Sequence, residues 1–170
     1  DSRYRNLNKR PGTRMHVDYD LGSRDAINAV ISYNKNIFDN NSNTRYTNLN
    51  QFKDISKLSE RSIESDGFSS NPSGTITYTH RGKNPGETLR FINSGSYSYN
   101  ENNRYFYQQF FNPDYTPNGI DSTQQQFTTS DNYGYASRLA YDKMFANKTT
   151  FLSAGGSFNR NSSRVVLLSE

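Results

Sequence analysis

Across residues 133–158, apolar and polar positions alternate with a period of two on both sides of a short polar connection. Tyr133, Tyr135, Leu139 and Tyr141 share one parity, and Gly134, Ala136, Arg138, Ala140 and Asp142 share the other. Beyond the connection Leu152, Ala154, Gly156 and Phe158 form the apolar set, with Ser153, Gly155 and Ser157 between them. Successive side chains of an extended strand point to opposite sides, so this pattern predicts an antiparallel hairpin with one apolar face. The unit recurs at a spacing of about 60 residues. In the first copy Met15, Val17, Tyr19 and Leu21 alternate with His16, Asp18 and Asp20. Gly22-Ser23-Arg24-Asp25 is a turn signal, and Ile27, Ala29, Ile31 and Tyr33 carry the outgoing arm. In the middle copy Ile76 and Tyr78 lead into a turn over 80–86, and Leu89, Phe91, Gly95, Tyr97 and Tyr99 lead out.

The incoming arms read VDYDL, ITYTH and LAYDK, each an apolar residue, a spacer, a Tyr and then the turn. Aligned on this pattern, Tyr19, Tyr78 and Tyr141 fall near one end of the sheet and on one face. Parity then places Tyr19, Ile27, Ala29, Ile31, Tyr78, Leu89, Phe91, Tyr141, Leu152 and Ala154 on that face. Asp18, Asp20, Asn28, Arg90, Arg138 and Ser153 fall on the other. The polar stretches near 39–73 and 112–122 read as long loops between hairpins, and Ile55, Leu58 and Ile63 would allow a short helical turn in the first. The expected fold over residues 1–170 is therefore all-β: one antiparallel up-and-down meander of long hairpins, with about three hairpin units and six placeable strands.

Composition sharpens this picture. Only 31% of the chain is hydrophobic and the mean hydropathy is −1.00, which alone would suggest disorder. The 13 Tyr and 11 Phe are too many for a disordered tail and suit strands with one apolar and one wet face. There is no Cys, hence no disulfide framework or thiolate metal site. No run approaches the ~18 apolar residues of a transmembrane helix, but a strand needs only about 9–11 residues to cross. Short turns at one end, long connections at the other and aromatics bordering an apolar band predict part of a transmembrane β-barrel. The competing expectation is a soluble β-rich surface module, a sandwich binding glycan or a protein partner.

The segments LAYDKMFANKTTFLSAGGSFNRN and GTITYTHRGKNPGETLRFINSGSYSYNENN resemble the outer-membrane β-barrel region of TonB-dependent receptors, particularly the Bacteroidetes-type outer membrane protein family. The resemblance covers most of residues 14–160. It implies a barrel of about 22 strands with an N-terminal plug and a TonB box. It also implies a place in the Gram-negative cell outer membrane and a role in ligand uptake. Neither plug nor box is found here, and the chain ends at Glu170 instead of the terminal aromatic such barrels have. The expectation is an internal barrel fragment. Its partners would be outer-membrane lipid, the rest of the barrel and plug, and, through those other parts, TonB and a surface lipoprotein.

Candidate chemistry is sparse. Ser32-Tyr33-Asn34-Lys35 matches S-x-x-K and Ser130-Asp131-Asn132 matches S-D-N, as in penicillin-recognising enzymes, but Lys148-Thr149-Thr150 lacks the Gly of K-T-G. Ser32 also lies in an alternating strand where that mechanism needs the start of a helix. With only His16 and His80 and no Cys, a His-based metal site is not expected, and both His read as solvated. Asp18, Asp20 and Asp25 lack the spacing of a calcium loop. The net charge of +4, with a single basic-aromatic patch at Arg104-Tyr105-Phe106-Tyr107, does not suggest nucleic acid. Arg24, Arg81, Lys83, Lys143 and Lys148 read as turn residues. No catalytic residue, metal or cofactor is expected. Loops commonly carry function, so the candidate ligand-contacting aromatics are Tyr105, Tyr107, Phe110 and Tyr115.

Overall fold

The computed structural model describes residues 2–145 and 150–170. Lys148 and Thr149 lie outside the described residues. The chain is all-β, an antiparallel meander. Its strands are β1 (Ser2–Lys9), β2 (Gly12–Asp20), β3 (Asp25–Leu49), β4 (Ile55–Arg81), β5 (Thr88–Phe111), β6 (Pro117–Met144) and β7 (Phe151–Ser169). They form one open sheet in which each strand pairs with the next, except that β1 and β2 both pair with β3. Lys9 stands opposite Ile37 and Gly12 opposite Asn34, so β1 and β2 are one line in one register. The interruption falls at Pro11, which has no N–H to donate, although its carbonyl still accepts from the Lys35 N–H at 2.9 Å. Six long strands result, as the alternation predicts.

Their length departs from expectation. β4 has 27 residues and β6 has 28, or about 90 Å of strand each. The stretch 39–73, expected as a long loop with a helical turn, is strand except for the tip at 50–54. The connection expected over 112–122 spans only 112–116. Connections are therefore short at both ends of the sheet, and the expected asymmetry of loops is absent. The reason is register. Once Asp25 pairs with His80, every rung of the β3–β4 ladder up to Asn48 and Lys57 follows without a slip. Polar residues extend the ladder because the backbone supplies its bonds whatever the side chains, and cross-strand polar pairs add to it. Such pairs include Asn41 to Glu64 at 3.0 Å, Arg45 to Glu60 at 3.3 Å and Arg61 to Gln108 at 3.0 Å.

The two upper tips share one construction. Asn50 and Asn112 each accept, at the backbone carbonyl, from the N–H three residues on (3.0 and 2.9 Å). The donors, Lys53 and Tyr115, both have φ of 68°. This is the three-residue hairpin loop, a type I turn closed by a left-handed residue. At the other end Asn84-Pro85-Gly86-Glu87 turns with Pro at its second place and Gly86 at φ 77°, where a side chain would be strained.

The sheet is a single layer. Among the described residues only Leu58 and Ser59 are buried, and no second sheet or helix covers either face. Among the described residues, both edges, the β1–β2 line and β7, lack a further neighbouring strand.

Candidate functional site

Residues directly opposite one another share a face, so the strand registers assign every side chain. Tyr19 faces Ile27, which faces Tyr78, then Phe91, Leu139 and Gly156. Continuing the alternation puts all ten residues of the expected apolar set on this face, and all six of the expected polar set on the other. Tyr19, Tyr78 and Tyr141 lie on one face near one end, as the repeat predicts.

On the apolar face the composition changes abruptly along the strands. From Asp25 to Tyr33 of β3 and the matching rungs, it carries Met15, Val17, Tyr19, Ile27, Ala29, Ile31, Ile76, Phe91, Leu139 and Phe158. Charges within these rungs are Asp25 and His80 at the lower margin and Arg160 one rung below the upper. From the rung of Lys35 onward charges enter the same face, Lys35, Asp131 and Arg164, then Lys9 and Glu101 beside Ile37, Phe68 and Val166, then Asp39 and Asp66 beside Leu7, Phe127 and Leu168. The belt is uncovered: Ile31 is 53% exposed and Ile76 56%.

Tyrosines mark both margins, and four of their hydroxyls donate to carboxylates. At the lower margin Tyr78 donates to Asp25 Oδ1 at 2.6 Å and Tyr141 to Glu87 Oε1 at 2.8 Å. At the upper margin Tyr97 donates to Asp131 Oδ1 at 2.6 Å and stacks on Tyr133 with ring centroids 4.7 Å apart. Tyr99 donates to Glu101 at 3.0 Å and Tyr33 accepts from Ser70 Oγ at 3.3 Å. From Tyr141 to Tyr133 is about 26 Å along the strand. The Tyr141 bond holds the Glu87 carboxyl, in the turn, below its ordinary value. The lower row follows from the arm pattern in the sequence. Of the upper row, Tyr33 and Tyr99 follow from the ends of the outgoing apolar arms, whereas the pairing of Tyr97 with Tyr133 needs the β5–β6 register.

The opposite face is wet. Within these rungs it presents Ser32, Ser73, Ser96 and Asn161 in one row, and just above them Asn34, Asn71, Ser98 and Asn132 in another. Pro72 leaves a gap in the β4–β5 ladder opposite Tyr97 and Ser98. At this gap a groove of about 560 Å³ is lined by Asn34, Asn71, Ser98, Asn132 and Asn161 together with Pro72, Tyr97 and Tyr133. An apolar one of about 530 Å³ lies over Ile31, Gly74, Gly95, Tyr133 and Tyr135.

The sequence-predicted aromatics do not form one site. Tyr105 and Tyr107 are side by side on the upper, charged part of the face that carries the belt, beside Glu64, Thr123 and Gln125 in a groove of about 470 Å³. Gln125 Nε2 donates to the Tyr105 hydroxyl at 3.2 Å. Phe110 is on the other face under the Lys57 ammonium, 4.7 Å from the ring centroid. Tyr115 is in the tip at 112–116, so only Tyr115 of the four is a loop residue. Ser32 and Lys35 project to opposite faces, and Ser32 Oγ is 2.7 Å from Ser73 Oγ. Asp25 is on the face opposite to Asp18 and Asp20. The two His are paired, not merely solvated: His80 Nδ1 lies 2.7 Å from Asp25 Oδ1, and His16 contacts Asn28 and Asp18. Among the described residues no three metal-ligating side chains converge.

The class of structure is thus an open, one-layer antiparallel sheet with an apolar belt on one face and a hydroxyl- and amide-rich opposite face. No protein-family model matches the chain, and no curated protein is similar to it.

Proposed function

We propose that this chain is wall of a transmembrane β-barrel in the outer membrane of a Gram-negative cell, with the belt toward lipid and the Asn- and Ser-rich face toward a wet lumen. The observation that carries the reading is the pair of tyrosine rows bounding an uncovered apolar belt. Nine residues of β3, Asp25–Tyr33, span it, the length a tilted strand needs to cross a bilayer, about 9–11 residues. Tyrosine rings favour the bilayer interface because the ring is apolar and the hydroxyl needs water or a polar partner. Strands that run far beyond the belt would stand outside the membrane as a polar collar. The two unpartnered edges suit continuation of the wall by further strands, since closure removes exposed edges. Within this class the hairpin arms favour a receptor-type uptake barrel resembling TonB-dependent receptors.

Spin labels at Ile31 and Ile76, with Ser94 as the polar-face control, test the reading in lipid vesicles. Oxygen accessibility should be high at the first two and low at Ser94. Low accessibility at both belt sites would instead support the soluble surface module, with the belt buried against a second layer.

A further inference from the structure

We infer that the upper margin of the belt carries a binding site for one anionic membrane lipid, its phosphate on Arg160 and an acyl chain in the groove floored by Gly74 and Gly95. The inference rests on the belt facing lipid and adds a specific occupant to it. Gly74 and Gly95 stand directly opposite each other, between Ile31 and Tyr135 on the same rung. Two neighbouring positions without side chains make a trough in this face, and Tyr97 and Tyr133 wall its upper end. Arg160 borders the same trough, directly opposite Tyr135. It is the one cation inside the belt among the described residues, apart from the marginal His80, and no carboxylate lies within ion-pair distance of it.

A guanidinium amid apolar side chains needs an anion or a route to water. The nearest carboxylate one would assign to it, Asp131, is two rungs higher, directly opposite Arg164, and already accepts the Tyr97 hydroxyl. Arg164 lies on the same face and also lacks an ion-pair partner among the described residues. The two guanidiniums therefore straddle the upper tyrosine row, where lipid headgroups would lie. A phosphate matches the planar fork of Arg in two parallel bonds, and a zwitterionic headgroup offsets that attraction with its own cation. The apolar trough beside Arg160 distinguishes a lipid from a free anion.

The test uses the chain folded in non-ionic detergent, with binding read by native mass spectrometry against phosphatidylglycerol, phosphatidylcholine and inorganic phosphate. Phosphatidylglycerol should bind saturably and about tenfold more tightly than phosphatidylcholine, the scale of one charge-assisted bond, with inorganic phosphate far weaker. Arg160→Gln should erase the preference. Gly95→Leu should block the trough and weaken both lipids while leaving the fold intact, since a Cβ at Gly95 meets nothing within 4 Å. Equal binding of the two lipids, phosphate binding as tight as phosphatidylglycerol, or unchanged affinity in both variants would overturn the site. If the belt spin labels stay accessible to oxygen under any of these results, only the lipid site falls. If they are shielded, the wall reading falls and the site with it.

Discussion

The lower third of the sheet and its long upper extension are built from the same strands in the same register, yet they solve different problems. In the rungs from Asp25 to Tyr33 the two faces differ sharply: Ile31, Ile76, Phe91 and Leu139 on one, Asn28, Thr77, Ser94 and Arg138 on the other. In the rungs from Lys35 onward both faces mix charged and amide side chains with apolar ones such as Ile37, Phe68, Phe38 and Ile63, and the polar side chains that meet are Asn41 with Glu64, Asn103 with Asp66 and Asn100 with Ser130. The ladder of backbone bonds runs through both regions. What changes is the chemistry each face carries, so strand formation and face chemistry are set independently.

The largest expected effect tests that separation. Ile76→Arg places a charge on the belt and should destabilise the chain folded in lipid vesicles by roughly 2–4 kcal/mol, whereas Ile37→Arg, on the same face of the extension, should cost less than about 1 kcal/mol. Urea titration of vesicle-inserted protein gives both numbers. Equal losses would mean that the two regions share one medium and that the belt is not distinct.

The next effect attacks the extension alone. At Gly67 a Cβ would collide with the Glu101 carbonyl and the Phe38 ring, which covers the glycine from the neighbouring strand. Gly67→Val should cost about 1–3 kcal/mol through displaced backbone. Amide exchange should rise around Glu101 and Asn102 but not at Phe91 and Ile92 in the belt. Loss of protection over both regions would show that they unfold as one unit.

A smaller change sharpens the border. Tyr97→Phe keeps the ring stacked on Tyr133 and removes the bond to Asp131. The fold should persist with slightly reduced stability, and a label at Ser162, directly opposite Tyr133, should move toward the belt interior, read as lower accessibility to a water-soluble quencher. An unchanged depth would mean that the carboxylates do not anchor the upper row.

The smallest effect is pH-dependent and confined to the upper tips. Asp114 accepts from the Thr116 hydroxyl at 2.6 Å and from its N–H at 3.0 Å, and these bonds hold its carboxyl below the ordinary value. Because the folded-state value is depressed, its stabilisation is complete above the unfolded value, near pH 4, and is lost as pH falls through the folded one. Protection of the Thr116 amide should fall between about pH 4 and pH 2 more than that of the Asp54 amide, whose acceptor is the uncharged Asn50 side chain (2.9 Å). Parallel loss at both would assign the effect to general acid unfolding.

Much of the belt was legible beforehand because parity is local. Alternation in VDYDL, ITYTH and LAYDK assigns Tyr19, Tyr78 and Tyr141 to a face without any knowledge of partners. The extension was not legible. From Asp39 to Ser73 the apolar residues are sparse and fall on both faces, so the alternation breaks down, and Ile55, Leu58 and Ile63 then fit a helical spacing as well as any other. The candidate aromatics divide for a related reason: Tyr105, Tyr107 and Phe110 sit in the strand stretch RYFYQQFF beside the tip at 112–116, and only strand assignment splits Phe110 from the other two.

The amino-acid sequence by itself determined that the chain forms strands, which residues share a parity, and where the turns at Gly22, Gly86 and Asn112 fall. These depend on interactions between near neighbours. Only the tertiary structure decided how far the strands run, that Tyr97 meets Tyr133 at the upper margin, and that Gly74 lies opposite Gly95 beneath Arg160. Those follow from register, which each hairpin turn sets once and the ladder then carries over tens of residues, beyond the reach of any local pattern.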